Sequence, residues 1–303
     1  MGNVRGLTAG LLIGTTVVAC APVALSGPDC REAITGIALP GQLDESSGVA
    51  VGLRDPEVLW THNDDGSVLY AVDREGSIGA AYSIVPELQD WEDIAAATCE
   101  THGTCLYLAD TGDNAERRGD GSIRVIRIAE PEVGIPGEEG SEAGRARREI
   151  QGEVFPIRLP DGPRDVEALL VFPGERVYVV TKGRNHAVTV YGYPPPLRPD
   201  TVALEVVQRL TDSAAPLADQ VTGASVSPRG DMASIRTYQA LEFFRVTGDT
   251  LARVEGGLVN LRTLGEAQGE AVGLGADGLV VLTSEGGLFG GAPGMNLLRC
   301  NLG

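Results

Sequence analysis

Positive charge is the first thing in short supply. The 303 residues include 24 Lys and Arg against 42 Asp and Glu, a formal charge of −18. Nucleic acid and anionic membrane surfaces need clustered Lys and Arg, so neither is an expected partner. Histidine is scarce too, and three residues are a small supply for a zinc site or a nucleophile–histidine–acid triad. The G-x-S-x-G elbow, H-E-x-x-H, the P-loop and the EF-hand spacing are all missing, and no nucleotide cofactor is expected. Helical periodicity is confined to one weak stretch at 202–215. Gly (41) and Pro (18) together are about a fifth of the chain, a density that breaks helices and excludes a helical bundle or coiled coil. Hydrophobic residues still make up 43%, enough to build a core.

At the N-terminus the apolar run LTAGLLIGTTVVA is too short and too rich in Gly and Thr to span a bilayer stably. It is followed by Val17-Val18-Ala19-Cys20, which reads as a bacterial lipobox. Residues 1–19 are therefore expected to be a lipoprotein signal, Cys20 the lipidated residue, and residues 20–32 a short tether. Cleavage after Ala21, at an A-x-A site, is the alternative and gives a secreted chain. Both place the protein outside the cytoplasm, with any membrane contact made through the lipid anchor alone. Four cysteines remain, and in an oxidising compartment they suffice for two disulfides. Cys99 and Cys105 flank a short turn; Cys30 and Cys300 would tie the mature N-terminus to the C-terminus.

Five segments share one grammar: an acidic or small polar residue, small residues, an apolar strand, a turn, and a second strand ending in polar residues. They start at Glu45, Glu92, Glu167, Thr222 and Glu270, at the spacing of four-stranded propeller blades. Residues 130–149 lack a strand pattern and read as an exposed insertion in the second blade. The last blade is one strand short, and the N-terminal run AITGIALP has strand composition but no blade of its own. Pairing the two closes the ring and leaves no open sheet edge there. The expectation is an all-β protein with one propeller over residues 33–303, of five four-stranded blades, six being the alternative.

The start of a blade's first strand and the end of its second lie on one face. That face would carry His62, Asn63, Asp64 and Asp65 in the first blade and Asp110, Asp113 and Asn114 in the second. Lys182, Arg184, Asn185 and His186 follow in the third, Arg236, Thr237 and Tyr238 in the fourth, and Thr283, Ser284 and Glu285 in the fifth. Clustered carboxylates repel one another unless protonated, paired or bound to a cation, and an oxygen-only set favours Ca²⁺ or Mg²⁺. Glu92, Asp110, Asp113, Glu167 and Glu270 are the candidate metal ligands. His62, Asn63, Asp64, Lys182, Arg184, His186, Arg236 and Tyr238 are the candidate ligand-binding residues. A structural reading stands beside this one. The blade-start glutamates could accept backbone N–H groups of the next blade, and Asp110–Asn114 could be a loop held by Asx turns.

Glu45-Ser46-Ser47-Gly48-Val49-Ala50 resembles the E-x-S-G-[LV]-A opening of secreted phytase-like propellers, in the wider superfamily that includes TolB-like ones. Trp91–Ala95 and Asp165–Leu169 are similar to the D-x-E-G-[IL]-A starts of their later blades, without the glycine after Glu92 and Glu167. The resemblance implies an extracytoplasmic propeller, with esterase or phosphatase activity in some relatives. Two functions follow. With no catalytic signature in the chain, the favoured one is a monomeric, lipid-anchored, non-enzymatic module that binds a glycan, peptide or protein on its polar face. The other is a divalent-metal-assisted hydrolase of phosphate or carboxylic esters at that face, with Lys182 and Arg236 receiving the anionic group.

Overall fold

The computed structural model describes residues 2, 30–119, 121–133, 147–287 and 291–301. The expected signal segment and Cys20 lie outside them. The chain is all-β and forms a five-bladed propeller.

From the axis outward, blade 1 is Ser46–Val51, Leu59–Asn63, Val68–Val72 and Ile78–Val85. Blade 2 is Trp91–Cys99, Gly103–Asp110, Ile123–Ala129 and Glu153–Arg158. Blade 3 is Val166–Phe172, Arg176–Thr181, Ala187–Gly192 and Glu205–Ala214. Blade 4 is Val221–Val226, Met232–Thr237, Ala240–Thr247 and Thr250–Asn260. Blade 5 is Gln268–Leu274, Leu279–Glu285 and Gly294–Cys300, completed by the N-terminal strand Cys30–Ala38. That strand pairs antiparallel with Gly294–Cys300, Cys30 facing Cys300 and Ala38 facing Gly294, so the ring closes as the missing strand requires. Both expected disulfides are present, Cys30–Cys300 on the seam and Cys99–Cys105 across the blade 2 hairpin.

The innermost strands pack side by side in blade order and return from blade 5 to blade 1. Small residues make this possible. At Gly48 a Cβ would overlap the His62 ring and meet Asp93 Cα of the next blade, so a side chain there would push blades 1 and 2 apart. Farther out, the alternating Val, Ile, Leu and aromatic residues fill apolar clusters between successive blades. Trp60, Leu69, Trp91, Ile94 and Leu106 pack between blades 1 and 2; Leu170, Val180, Ala224 and Phe244 pack between blades 3 and 4.

Two details differ from the sequence reading. The 202–215 stretch is extended: Val202–Ala203 and Glu205–Ala214 are strands, because the sheet edges of blades 2 and 3 supply backbone partners to them. The region read as an insertion begins and ends in ordered structure. Glu130 is buried, accepting from the N–H groups of Leu53 and Arg54 and from Trp60 Nε1. Arg148–Gln151 forms a strand that runs parallel to Ile78–Val85 on the rim of blade 1.

Replacing both seam cysteines removes a cross-link that spans 270 residues. The loss should lower stability by up to about 5 kcal/mol in the chain-entropy account. A C30S/C300S variant that unfolds in urea at the wild-type midpoint would contradict this.

Candidate functional site

One irregularity recurs in all five blades. Between the first and second strands the register slips at Ser46/Gly48, Trp91/Asp93, Val166/Ala168, Val221/Gly223 and Gly269/Val272. A β-bulge re-aims the side chain of its extra residue. The residues at the slips are Ser47, Glu92, Glu167, Thr222 and Glu270, at one end of the axis. Two residues earlier stand Glu45, Asp90, Asp165, Gln220 and Gln268, and at or just past the end of the facing strand Asp64, Thr111, Lys182, Tyr238 and Glu285. These fifteen positions hold eight carboxyl groups and one lysine. Glu45 thus belongs to the earlier position, and Ser47 is the true counterpart of Glu92. Glu45 is also exposed, unlike the glutamates at the bulges.

The carboxylates converge between blades 2 and 3. Glu92, Asp165 and Glu167 are all buried, and an oxygen from each lies within 4.8 Å of the others. Lys182 Nζ donates to Glu167 Oε1 at 2.6 Å and stands 4.0 Å from Asp165 Oδ2. That Asp165 oxygen is buried and accepts no hydrogen bond, though Arg184 approaches it to 3.5 Å. Asp165 Oδ1 accepts the N–H of Asp113 at 3.0 Å. The Asp90 carboxyl lies beside Glu92. The backbone of Gly112 lies so close above these two that a Cβ there would overlap both carboxyl groups. On the other side of the mouth, Gln268 Nε2 donates to Glu270 at 2.7 Å and to Glu285 at 2.6 Å.

Burial sets the proton affinities here. Desolvation, then the charge of Glu167, pushes the Glu92 carboxyl well up; desolvation and Glu285 do the same to Glu270. Glu167 is pushed up by burial despite Lys182. Burial draws the Lys182 ammonium down, but Glu167, Tyr238 and Asp165 outweigh it and the group is held charged. Glu285 rises to about 7 through burial, Asp64 and Glu45.

The proposed structural role of the bulge glutamates falls to other residues. Ser47 Oγ donates to Glu92 O, Thr111 Oγ1 to Val166 O, and Thr222 Oγ1 to Glu270 O, joining blades through short hydroxyls. Asp93, beside Glu92, does the most. Fully buried near the axis, it accepts the N–H groups of Ile94, Leu169 and Ala224, so one carboxylate pins blades 2, 3 and 4. The sequence reading missed Asp93. Its signal was available: Gly48, Ala168, Gly223 and Ala271 follow the bulge elsewhere, and an acid stands out among them.

Several predicted residues lie elsewhere or are already engaged. Both oxygens of Asp110 are taken by Arg118 and Arg124, at 3.0 and 2.7 Å, and Asp113 accepts the N–H groups of Arg117 and Arg118 within its own loop. Neither joins the cluster; they shape the loop that lies over it. Arg236 is fully buried and donates to Ala271 O, Thr283 O and Glu266, locking blade 4 to blade 5 rather than facing a ligand. His62 is fully buried, stacked 3.8 Å from the Trp91 ring, and burial draws its pKa down to about 3. Asn63 donates to Gln42 O. Asp64, Arg184 and Tyr238 line the mouth; His186 is half exposed, 3.4 Å from Glu116. Asp165 was not among the expected ligands, although it starts the Asp165-Val166-Glu167 motif.

No protein-family model and no curated protein matches the sequence. Solved structures do share its fold. An aldose sugar dehydrogenase from Streptomyces coelicolor, PQQ-bound, superposes with a TM-score of 0.51 at 14% identity, over 93% of this chain and 100% of that one. A luciferin-regenerating enzyme gives 0.50 at 10% identity, over 91% and 96%. A gluconolactonase from Xanthomonas campestris gives 0.44 at 13%, over 85% and 73%. The similarity establishes the propeller fold and no particular branch of it. The two that superpose at 0.50 or above are enzymes by name, against the expectation of a non-enzymatic binding module. PQQ does not fit this site: it is a tricarboxylate, and the mouth sets eight carboxyl groups against it with only Lys182 and Arg184 as cations. A divalent cation fits. Three carboxylates against the Lys182 ammonium and the Arg184 guanidinium leave one negative charge, in an all-oxygen set with one buried oxygen that accepts no hydrogen bond.

A carboxyl group whose folded pKa is raised contributes stability that is fully present below its unfolded value, about 4.5, and lost as pH rises through the folded value, about 7 for Glu285. In EDTA, the Tm should therefore fall between pH 5 and pH 8, and saturating Ca²⁺ or Mg²⁺ should flatten the decline. A Tm that climbs over this interval in EDTA would contradict the electrostatic picture.

Proposed function

We propose that the protein is a divalent-cation-dependent ester hydrolase acting at the axial mouth, outside the cytoplasm. The observation that carries it is the convergence of Glu92, Asp165 and Glu167 beside Lys182, with a buried Asp165 oxygen that accepts no hydrogen bond. Those three carboxylates would hold the cation, and Ca²⁺ and Mg²⁺ suit the all-oxygen donors. When bound, it would supply Lewis-acid activation of water and of the ester.

The remaining chemistry belongs to the chain. Glu285, held near 7, suits a general base that takes a proton from water and returns it as a general acid. The water oxygen bonds to the acyl carbon or the phosphorus, the bond to the alcohol oxygen breaks, and the proton passes through Glu285 to that oxygen. Lys182 and Tyr238 face the developing negative charge, with Lys182 charged and the Tyr238 phenol kept protonated by burial and by Glu270. The loop Asp110–Asn114 covers Glu92 and limits its access to water. The phytase-like blade openings support ester chemistry, and the two disulfides and the leader-like residues 1–19 support an extracytoplasmic location with Cys20 as lipid anchor.

Calcium, magnesium and manganese titrations followed by calorimetry test the reading. At a hundredfold excess over Kd the cation should stabilise the fold by about 2.7 kcal/mol. D165N and E167Q should lose that gain together with turnover. If only K182M gains stability from the cation, then Lys182 takes the cation's place in the wild type and the metal reading falls.

A further inference from the structure

The acidic mouth has a gap at blade 4. At these three positions every other blade carries at least two acids or the lysine, whereas blade 4 carries Gln220, Thr222 and Tyr238, none of them charged. Gln220 is only 6% exposed, yet its Oε1 has no hydrogen-bond partner. Tyr238 makes no side-chain hydrogen bond to any described residue, although it lies in the field of Glu270, Lys182 and Glu167. The Val221 N–H donates to Lys182 O at 3.0 Å, which seats the strand start of blade 4 beside the lysine. An amide oxygen left unpaired in a buried position is destabilising unless something donates to it. Tyr238, which follows the residue paired with Val221, offers a phenol that both donates and accepts. Together they match a neutral group bearing hydroxyls. The rest of the mouth opposes an anion: even with Lys182 and a divalent cation counted, carboxyl groups remain in excess.

We infer that Gln220 and Tyr238 form the substrate-recognition sector of this mouth, and that the site takes an uncharged, hydroxyl-bearing carboxylic ester rather than a phosphate ester. The inference rests on the hydrolase reading and narrows it. Gln220 Oε1 accepts from a substrate hydroxyl, and Tyr238 bonds the acyl oxygen or a second hydroxyl. Replacing Gln220 by Glu restores an acid to the one neutral sector and leaves Glu92, Asp165, Glu167 and Lys182 in place.

The test compares three probes with the Ca²⁺- or Mg²⁺-loaded protein: glycerol monobutyrate, p-nitrophenyl butyrate and p-nitrophenyl phosphate. Glycerol monobutyrate should be preferred, with kcat/KM at least tenfold above the phosphate. Q220E and Y238F should each raise KM for glycerol monobutyrate about tenfold, more than for p-nitrophenyl butyrate, which has no hydroxyl. Both should keep the wild-type cation-induced rise in Tm, which also reports folding; Q220N serves in place of Q220E should that variant not fold. Faster hydrolysis of p-nitrophenyl phosphate, or an unchanged KM in both variants, overturns the inference and leaves the hydrolase standing. Cation binding without hydrolysis of any probe overturns the hydrolase and the inference together.

Discussion

The ion pair between Lys182 and Glu167 is the interaction on which the axial mouth depends. Three carboxylates from neighbouring blades cannot be buried within 4.8 Å of one another as bare anions, because desolvation and mutual repulsion act in the same direction. The ammonium offsets part of that cost and leaves the rest. What remains is an electrostatic deficit built into a rigid ring, and a deficit of that sign suits a cation. The bulges place it: each adds a residue where the first strand enters its sheet, and three of the five added residues are glutamates.

Rigidity comes from groups that take no part in the chemistry. Asp93 accepts backbone N–H groups from blades 2, 3 and 4; Arg236 ties blade 4 to blade 5; Ser47 and Thr222 bridge other neighbours. These contacts fix the distances between strands that differ widely in sequence position. A site assembled from several blades needs that, since a shift of about 1 Å in one blade would degrade the geometry of the rest.

Much of the fold was legible in the sequence. The spacing of blade starts, the small residues of the inner strands and the missing fourth strand of the last blade sufficed for five blades and for the closure by Cys30–Ala38. The site was legible only in part. Glu92, Glu167, Glu270 and Lys182 were visible as strand-end polar residues, but Asp165 was passed over as part of a motif. Glu45 reads as the counterpart of Glu92 because it is the first acid of its blade, yet it stands two residues ahead of the bulge, level with Asp90 and Asp165. His62 and Arg236 have the composition of ligand-binding residues. Only packing shows that one is stacked beneath Trp91 and the other spent on carbonyls across a blade boundary. Asp110 and Asp113 looked like metal ligands for a similar reason, since sequence alone does not show which arginines reach them.

The rim carries a different kind of connection from the hub. Arg148–Gln151, from the chain of blade 2, runs parallel to the outer strand of blade 1, and Val202–Ala203, from blade 3, runs parallel to the outer strand of blade 2. Each of these blades therefore borrows its edge from its successor, and none of the three is a self-contained unit. Blades 3 and 4 end instead in Glu205–Ala214 and Thr250–Asn260, where Val206 and Leu258 are exposed. In an evolutionary sense the ring is unevenly divisible. A duplication or exchange of one whole blade would tear backbone ladders on the side of blades 1 to 3, whereas the side of blades 3 and 4 offers cleaner boundaries.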